Sequence, residues 1–120
     1  MELERMRTPK LVLVACCAAL LGACTSDTGG GNAASASVLI MKDSAVGHYH
    51  PGEVAVEAGG EVTWTNRSGV VHNVVFEAPS IRSSGLIKDG ETFSTEFANR
   101  GTYPYLCTLH PTMRGVVEVE

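Results

Sequence analysis

The chain has 120 residues, of which 44% are hydrophobic and 18% charged, and nine Lys/Arg against thirteen Asp/Glu leave a formal net charge of −4. A chain of this length holds one small domain. Its acidic balance argues against nucleic acid, whose binding needs a basic patch.

At the N-terminus Arg5, Arg7 and Lys10 precede an apolar run from Leu11 to Leu21, followed by Gly22-Ala23-Cys24. A basic start, a short apolar stretch and small residues before a cleavage point describe an export signal. The run is too short to span a bilayer, which takes about 20 apolar residues. Leu21-Gly22-Ala23-Cys24 is similar to the bacterial lipobox, so residues 1–23 are expected to be a lipoprotein signal peptide and Cys24 the lipid-bearing mature N-terminus. The mature protein is then exported and held by its lipid on the membrane, facing the periplasm or the extracellular side. Cys16 and Cys17 leave with the signal. From Cys24 onward six Lys/Arg face eleven Asp/Glu. Cys107 remains as a lone thiol in an oxidising compartment where thiols tend to pair, and metal coordination explains it.

Residues 24–37 are small, polar and rich in glycine, with nothing to bury. They read as a flexible tether with a root-mean-square reach of ~20 Å. From Val38 to Glu120 the pattern is strands and turns without a helical stripe. Val38-Leu39-Ile40-Met41 opens the domain, and Tyr49-His50-Pro51-Gly52 is a turn signal. Val54 and Val56 alternate with small and acidic residues up to Gly59-Gly60, which is expected to break the strand. Val62, Trp64 and Asn66 alternate with Thr63 and Thr65, a half-buried strand by its period of two. Val74-Val75-Phe76 continues from His72, and the stretch from Pro79 to the Asp89-Gly90 turn is irregular. Phe93 and Phe97, then Tyr103 and Tyr105, then Val117 and Val119 mark the remaining strands. About seven short strands at near-regular spacing predict an all-β, antiparallel sandwich. Its core draws on Val54, Val56, Val62, Trp64, Val74, Phe76, Phe93, Phe97, Tyr103, Val117 and Val119.

The stretch Cys107-Thr108-Leu109-His110-Pro111-Thr112-Met113 lies between the last two strands. It places a thiolate, an imidazole and a thioether on one loop whose ends are fixed by ladder hydrogen bonds. Two His and a Cys with a weak Met form the ligand set of electron-transfer copper, and His72 is available as the second imidazole. Structural zinc wants four Cys or His donors. Haem attachment needs Cys-x-x-Cys-His, which is absent. A catalytic Cys-His pair needs an exposed thiolate beside its base, plus an orienting group. His48 and His50 form an i, i+2 pair that could load or sense metal, and they read as solvated turn residues outside the primary site.

Two blocks carry a family resemblance. One is Tyr49-x-Pro51, Val54-x-Val56-x-x-Gly59-x-x-Val62-x-Trp64-x-Asn66 and His72-Asn73-Val74. The other is Gly101-Thr102-Tyr103-x-Tyr105-x-Cys107-Thr108-x-His110-Pro111-x-Met113-x-Gly115. Together they resemble the cupredoxins, the type 1 blue copper proteins, in their amicyanin- and plastocyanin-like branch. The resemblance implies a Greek-key β-sandwich with one copper ion, cycling between Cu(I) and Cu(II), beneath one pole. His72, Cys107 and His110 would form the equatorial plane and Met113 the long axial contact, with Asn73 tied to Thr108 behind them. His110 would be the electron port. The family often has an aromatic residue after the Pro, where this chain has Thr112. The function implied is a monomeric one-electron carrier between redox protein partners, catalysing no bond chemistry itself. The alternative is a copper storage or delivery module of the cell envelope. Such modules favour Met-rich sites, and only Met41 and Met113 remain after the leader.

Overall fold

The structure, a computed structural model, describes residues 33–43 and 46–120. The leader, Cys24 and the first part of the expected tether lie outside the described residues. Seven strands make up the described domain: β1 (Ala33–Lys42), β2 (Gly47–His50), β3 (Glu53–Asn66), β4 (Val75–Phe76), β5 (Thr92–Phe97), β6 (Gly101–Leu106) and β7 (Arg114–Val119). The first of them begins ahead of the domain edge expected at Val38, so strand replaces tether from Ala33 on. Ala33–Ser37 bury no large side chain. They are held through the backbone, with Ser35 opposite Glu61, Ala36 opposite Val62 and Ser37 opposite Thr63, and composition cannot report such a ladder.

β3 organises both layers. Its first part, Glu53–Val56, pairs with β7, whereas Gly60–Thr65 pairs with β5 on one side and Ser35–Leu39 of β1 on the other. One layer is therefore β2-β1-β3-β5 and the other β3-β7-β6-β4, with β3 running through both. Strands that switch layers do so at bends, and here Gly59-Gly60 bends the strand instead of ending it. Gly59 has φ of 90°, a conformation that costs glycine little. A Cβ on Gly60 would stand 2.8 Å from the Glu57 carbonyl oxygen and 2.9 Å from that of Ala34, so the corner has no room for a side chain.

The sheet is mixed, not antiparallel throughout: β1 with β3 and β3 with β7 run parallel. A period of two decides which face of a strand is buried but is silent about the direction of its neighbour. Parallel neighbours need long crossovers. The chain supplies them, through β2 in the first case and through β4, β5 and β6 in the second.

Trp64 joins the layers. It is fully buried, and its ring centroid lies 5.7 Å from that of Phe93, 5.8 Å from Phe76 and 5.3 Å from Tyr105. Burying each large apolar side chain contributes roughly 1.5–3 kcal/mol. Edge-to-face ring pairs add about 0.5–1.5 kcal/mol each. Val54 and Tyr103, expected in the core, are only partly buried. The Tyr103 hydroxyl turns outward to donate to the Asn99 carbonyl at 2.7 Å. Val38, Ile40, Tyr49, Ile87 and Tyr105 are core residues as well.

Candidate metal centre

The β6–β7 ladder is antiparallel, and its last pair is Leu106 opposite Arg114. Cys107 and Met113 are thus the first and last residues of the loop that closes the hairpin. Its backbone bonds are short and local. The Cys107 amide donates to the Met113 carbonyl at 3.1 Å, the His110 amide to the Cys107 carbonyl at 3.3 Å and the Met113 amide to the His110 carbonyl at 2.8 Å. Each of the three potential ligands is therefore tied to another through the main chain, which holds their side chains convergent.

His72 arrives from the opposite side. β4 pairs with β6 through Val75–Leu106 and Phe76–Tyr105, and this draws the segment before β4 alongside Cys107. His72 and Ile87 exchange amide-to-carbonyl bonds at 3.1 and 2.7 Å. The loop leading to His72 is set by Asn66, which is fully buried. The Asn66 amide group donates to the carbonyls of Val70 (2.7 Å) and Ile87 (2.8 Å). Its oxygen accepts from the Ser68 amide (2.9 Å) and hydroxyl (2.7 Å). All the polar capacity of that side chain goes into shaping the loop.

These elements bring three donor atoms together. Cys107 Sγ lies 3.7 Å from His72 Nδ1 and 3.8 Å from His110 Nδ1, and the two Nδ1 atoms are 3.2 Å apart. Met113 is 2% exposed, and His72 and Cys107 are fully buried. His110 is partly exposed. Asn73 Nδ2 donates to Thr108 Oγ1 at 2.8 Å, and the Thr108 amide donates back to Asn73 Oδ1 at 2.9 Å. This reciprocal pair clamps the His72 segment to the Cys107 loop. Tyr49 adds a third tie, its hydroxyl donating to the Asn73 carbonyl at 2.7 Å. Burial, and next to it Cys107, push the Tyr49 hydroxyl well above the usual tyrosine range, so it stays a donor.

Gly47 is a site residue that sequence reasoning missed. A Cβ there would stand 2.8 Å from His72 Cε1, 2.9 Å from His72 Nε2 and 3.1 Å from Met113 Sδ. The bare backbone of β2 thus forms a wall against which the imidazole and the thioether rest, and this places Met113 Sδ beside the His72 ring. Asn66 and Ile87 were likewise unassigned. Their roles depend on contacts between distant segments that no local pattern announces.

Nitrogen and sulfur donors hold a transition ion at about 2.0–2.3 Å, so three of them spaced around one ion stand roughly 3.1–3.9 Å apart. The observed separations fall in that range. Burial, and after it the neighbouring His110, hold His72 below the ordinary histidine pKa, which favours the neutral imidazole that binds metal. Two imidazoles, a thiolate and a thioether suit copper, and the Met makes zinc the poorer match. Among the described residues, His72, Cys107 and His110 are the one grouping of His, Cys or acidic side chains that converges in this way.

The family of copper binding proteins described as plastocyanin/azurin matches residues 36–120. Amicyanin-alpha of Methylorubrum extorquens is 42% identical over 72 residues, which is 57% of this chain and 60% of that protein. Amicyanin of Paracoccus denitrificans is 41% identical over 85 residues, covering 68% of this chain and 65% of that protein. The chain therefore spans about two thirds or less of these amicyanins. Plastocyanin of Scenedesmus fuscus is 32% identical over 96 residues, with 70% of this chain and 98% of that protein covered. Among solved structures, a purple cupredoxin from Nitrosopumilus maritimus superposes with a TM-score of 0.64 at 29% identity, covering 71% of this chain and 99% of its own. An oxidized amicyanin carrying a proline-to-alanine substitution gives 0.64 at 37% identity, with 72% and 83% covered. With its mixed two-layer sheet, its paired loops at one pole and a soft donor set matched to copper, the chain belongs to the plastocyanin/azurin family and is a cupredoxin of the amicyanin and plastocyanin kind.

Proposed function

We propose that this protein is a blue copper carrier that takes one electron from one redox protein and passes it to another. His72, Cys107 and His110 would hold the copper from three sides, with Met113 as the weak fourth contact. The bound ion supplies the reversible change between Cu(I) and Cu(II), and everything else is the work of the chain. The observation that carries this reading is the convergence of three donor atoms within 4.8 Å of one another in a buried, doubly clamped pocket. A site fixed by the Asn73–Thr108 pair and the local loop bonds does not rearrange when the charge changes, which keeps the cost of electron transfer low.

Access is through His110, the one ring of the set that reaches the surface. Val70 (48% exposed), Leu86 (62%) and Leu109 (46%) are neighbours in sequence of this pole's residues. Exposed apolar side chains of this kind mark a surface for docking a partner protein. Export and attachment through Cys24 would keep the domain at the membrane surface beside its redox partners. Storage or delivery of copper fits less well, because Cys107 is fully buried and Met113 nearly so, leaving no open side for handing on an ion.

The test is spectroscopic. Copper-loaded protein should show an intense visible absorption from thiolate-to-copper charge transfer that a reductant bleaches and an oxidant restores. Cys107→Ser should lose it while keeping the β-sheet circular dichroism. A Cys107→Ser protein with the same absorption overturns the assignment.

A further inference from the structure

The chain has four histidines. His72 and His110 belong to the buried centre, and the other two, His48 and His50, stand together on the outside of β2. In this strand Gly47 and Tyr49 are buried, so alternation turns His48 and His50 outward. Their rings meet edge to face, with centroids 6.3 Å apart and planes at 88°. β1 pairs with β2 so that Met41 lies opposite His48 and Leu39 opposite His50. Directly opposed residues share a face, with Cβ atoms about 4.5–5.5 Å apart, so the Met41 thioether borders the same patch. Asp43 Oδ2 stands 3.4 Å from His48 Nδ1. Among the described strands β2 has β1 as its one neighbour in the sheet, and the patch faces solvent.

We propose that His48 and His50 form a second metal site, separate from the buried centre, for a divalent ion of the imidazole-preferring kind, Cu(II) foremost. Alternate residues of a strand make a natural chelate because their side chains rise from one face in parallel. An ion about 2.0–2.1 Å from one nitrogen of each ring leaves the centroids roughly 4.5–6.4 Å apart, depending on the angle at the metal. At 6.3 Å and edge to face the rings stand at the open end of that span, and rotation at χ1 of exposed His50 would bring both nitrogens onto one ion. Asp43 stands on the Nδ1 side of His48 without a hydrogen bond to it, and that nitrogen is buried, so Nε2 is the nitrogen left to face an ion. Among divalent first-row ions, Cu(II) binds such a nitrogen site most tightly. Met41 adds a soft donor at the border. The captured ion would sit across a single strand from the buried centre, since the Gly47 backbone on the inner side rests against His72 and Met113.

The experiment is a Cu(II) titration of the metal-free full chain, followed by calorimetry and electron paramagnetic resonance, in the parent and in His48→Gln, His50→Gln and doubly substituted proteins. The parent should bind one equivalent that depends on these two histidines and gives the signal of ordinary nitrogen-ligated Cu(II) without intense visible colour. Each single substitution should weaken that equivalent at least tenfold, and the double substitution should abolish it. The charge-transfer band of the buried centre should be the same in all four proteins. The proposal is overturned if no equivalent depends on His48 and His50, whatever the buried centre binds. Failure of the buried centre would instead show as absence of the visible band, so the two readings fail separately.

Discussion

Replacing Gly47 by alanine puts a methyl carbon 2.8 Å from His72 Cε1 and 3.1 Å from Met113 Sδ. Favourable contact between such atoms begins at about 3.5–4.0 Å, so the imidazole or the strand must move by roughly 0.5–1 Å. Neither has an easy path. His72 is fully buried and bonded to Ile87 through both its amide and its carbonyl, and the β2 backbone is laddered to β1. Overpacking of this kind costs about 1–3 kcal/mol. In a domain of this size each kcal/mol lowers Tm by about 4–8 °C, so metal-free Gly47→Ala should melt roughly 4–24 °C below the parent. The displacement also exceeds the ~0.5 Å within which ligands must be held, and the visible band per bound copper should weaken. Gly85→Ala is the control, because nothing lies within 4 Å of its Cβ position. Thermal melts of both metal-free proteins and absorption spectra of both loaded ones decide the matter. A Gly47→Ala protein that melts and absorbs like Gly85→Ala refutes the idea that bare backbone walls the site.

Asn66→Ala strips four hydrogen bonds from a fully buried side chain and leaves the Val70 carbonyl with the Ser68 hydroxyl and the Ile87 carbonyl with the His72 amide as their remaining donors. Denaturant unfolding of the metal-free protein should show a loss of about 2–4 kcal/mol, and a loss below ~1 kcal/mol contradicts the role given to it. Asn73→Ala cuts the two-bond clamp to Thr108. Because Thr108 is exposed and water can replace part of the loss, stability should fall by only about 1–2 kcal/mol. The reduction potential and the sharpness of the copper signal should change more plainly than Tm. For pH, His72 is held below its ordinary value in the fold, so the unfolded chain binds the extra proton first. The stability this contributes to the metal-free protein is present above the unfolded histidine pKa of about 6.5 and declines as pH falls toward the folded value. His72→Gln should flatten that part of the stability–pH curve, and an unchanged slope rejects the assignment.

What could be read from the chain follows from distance along it. Cys107, His110 and Met113 fall within one short loop, so their nearness to one another is legible from spacing alone. Strands such as Thr92–Phe97 announce themselves by alternation, and Trp64 by its place in one. His72 was nameable as the missing imidazole. Its approach to Cys107 depends on Val75 pairing with Leu106, a contact that no local pattern encodes. Gly47 sits in a segment that looks like any loop, and only the ring packed against it reveals why it has no side chain. Tyr49 lies in a stretch read as a turn and Ile87 in one read as irregular, yet both are core residues because other segments fold over them. Strand direction was misjudged for the same reason, since periodicity describes a strand's faces and not its neighbours' headings.

The passage of β3 through both layers has a mechanical consequence. Water cannot part the two halves of the sandwich without tearing the one backbone that is woven into each, so the halves have no independent way to loosen. The amides of Val62 and Trp64, in a stretch of β3 flanked by β1 on one side and β5 on the other, should exchange with deuterium only when the whole domain opens. The metal pocket, roofed by loops that spring from this shared strand and its partners, is thereby guarded by the stability of the entire fold.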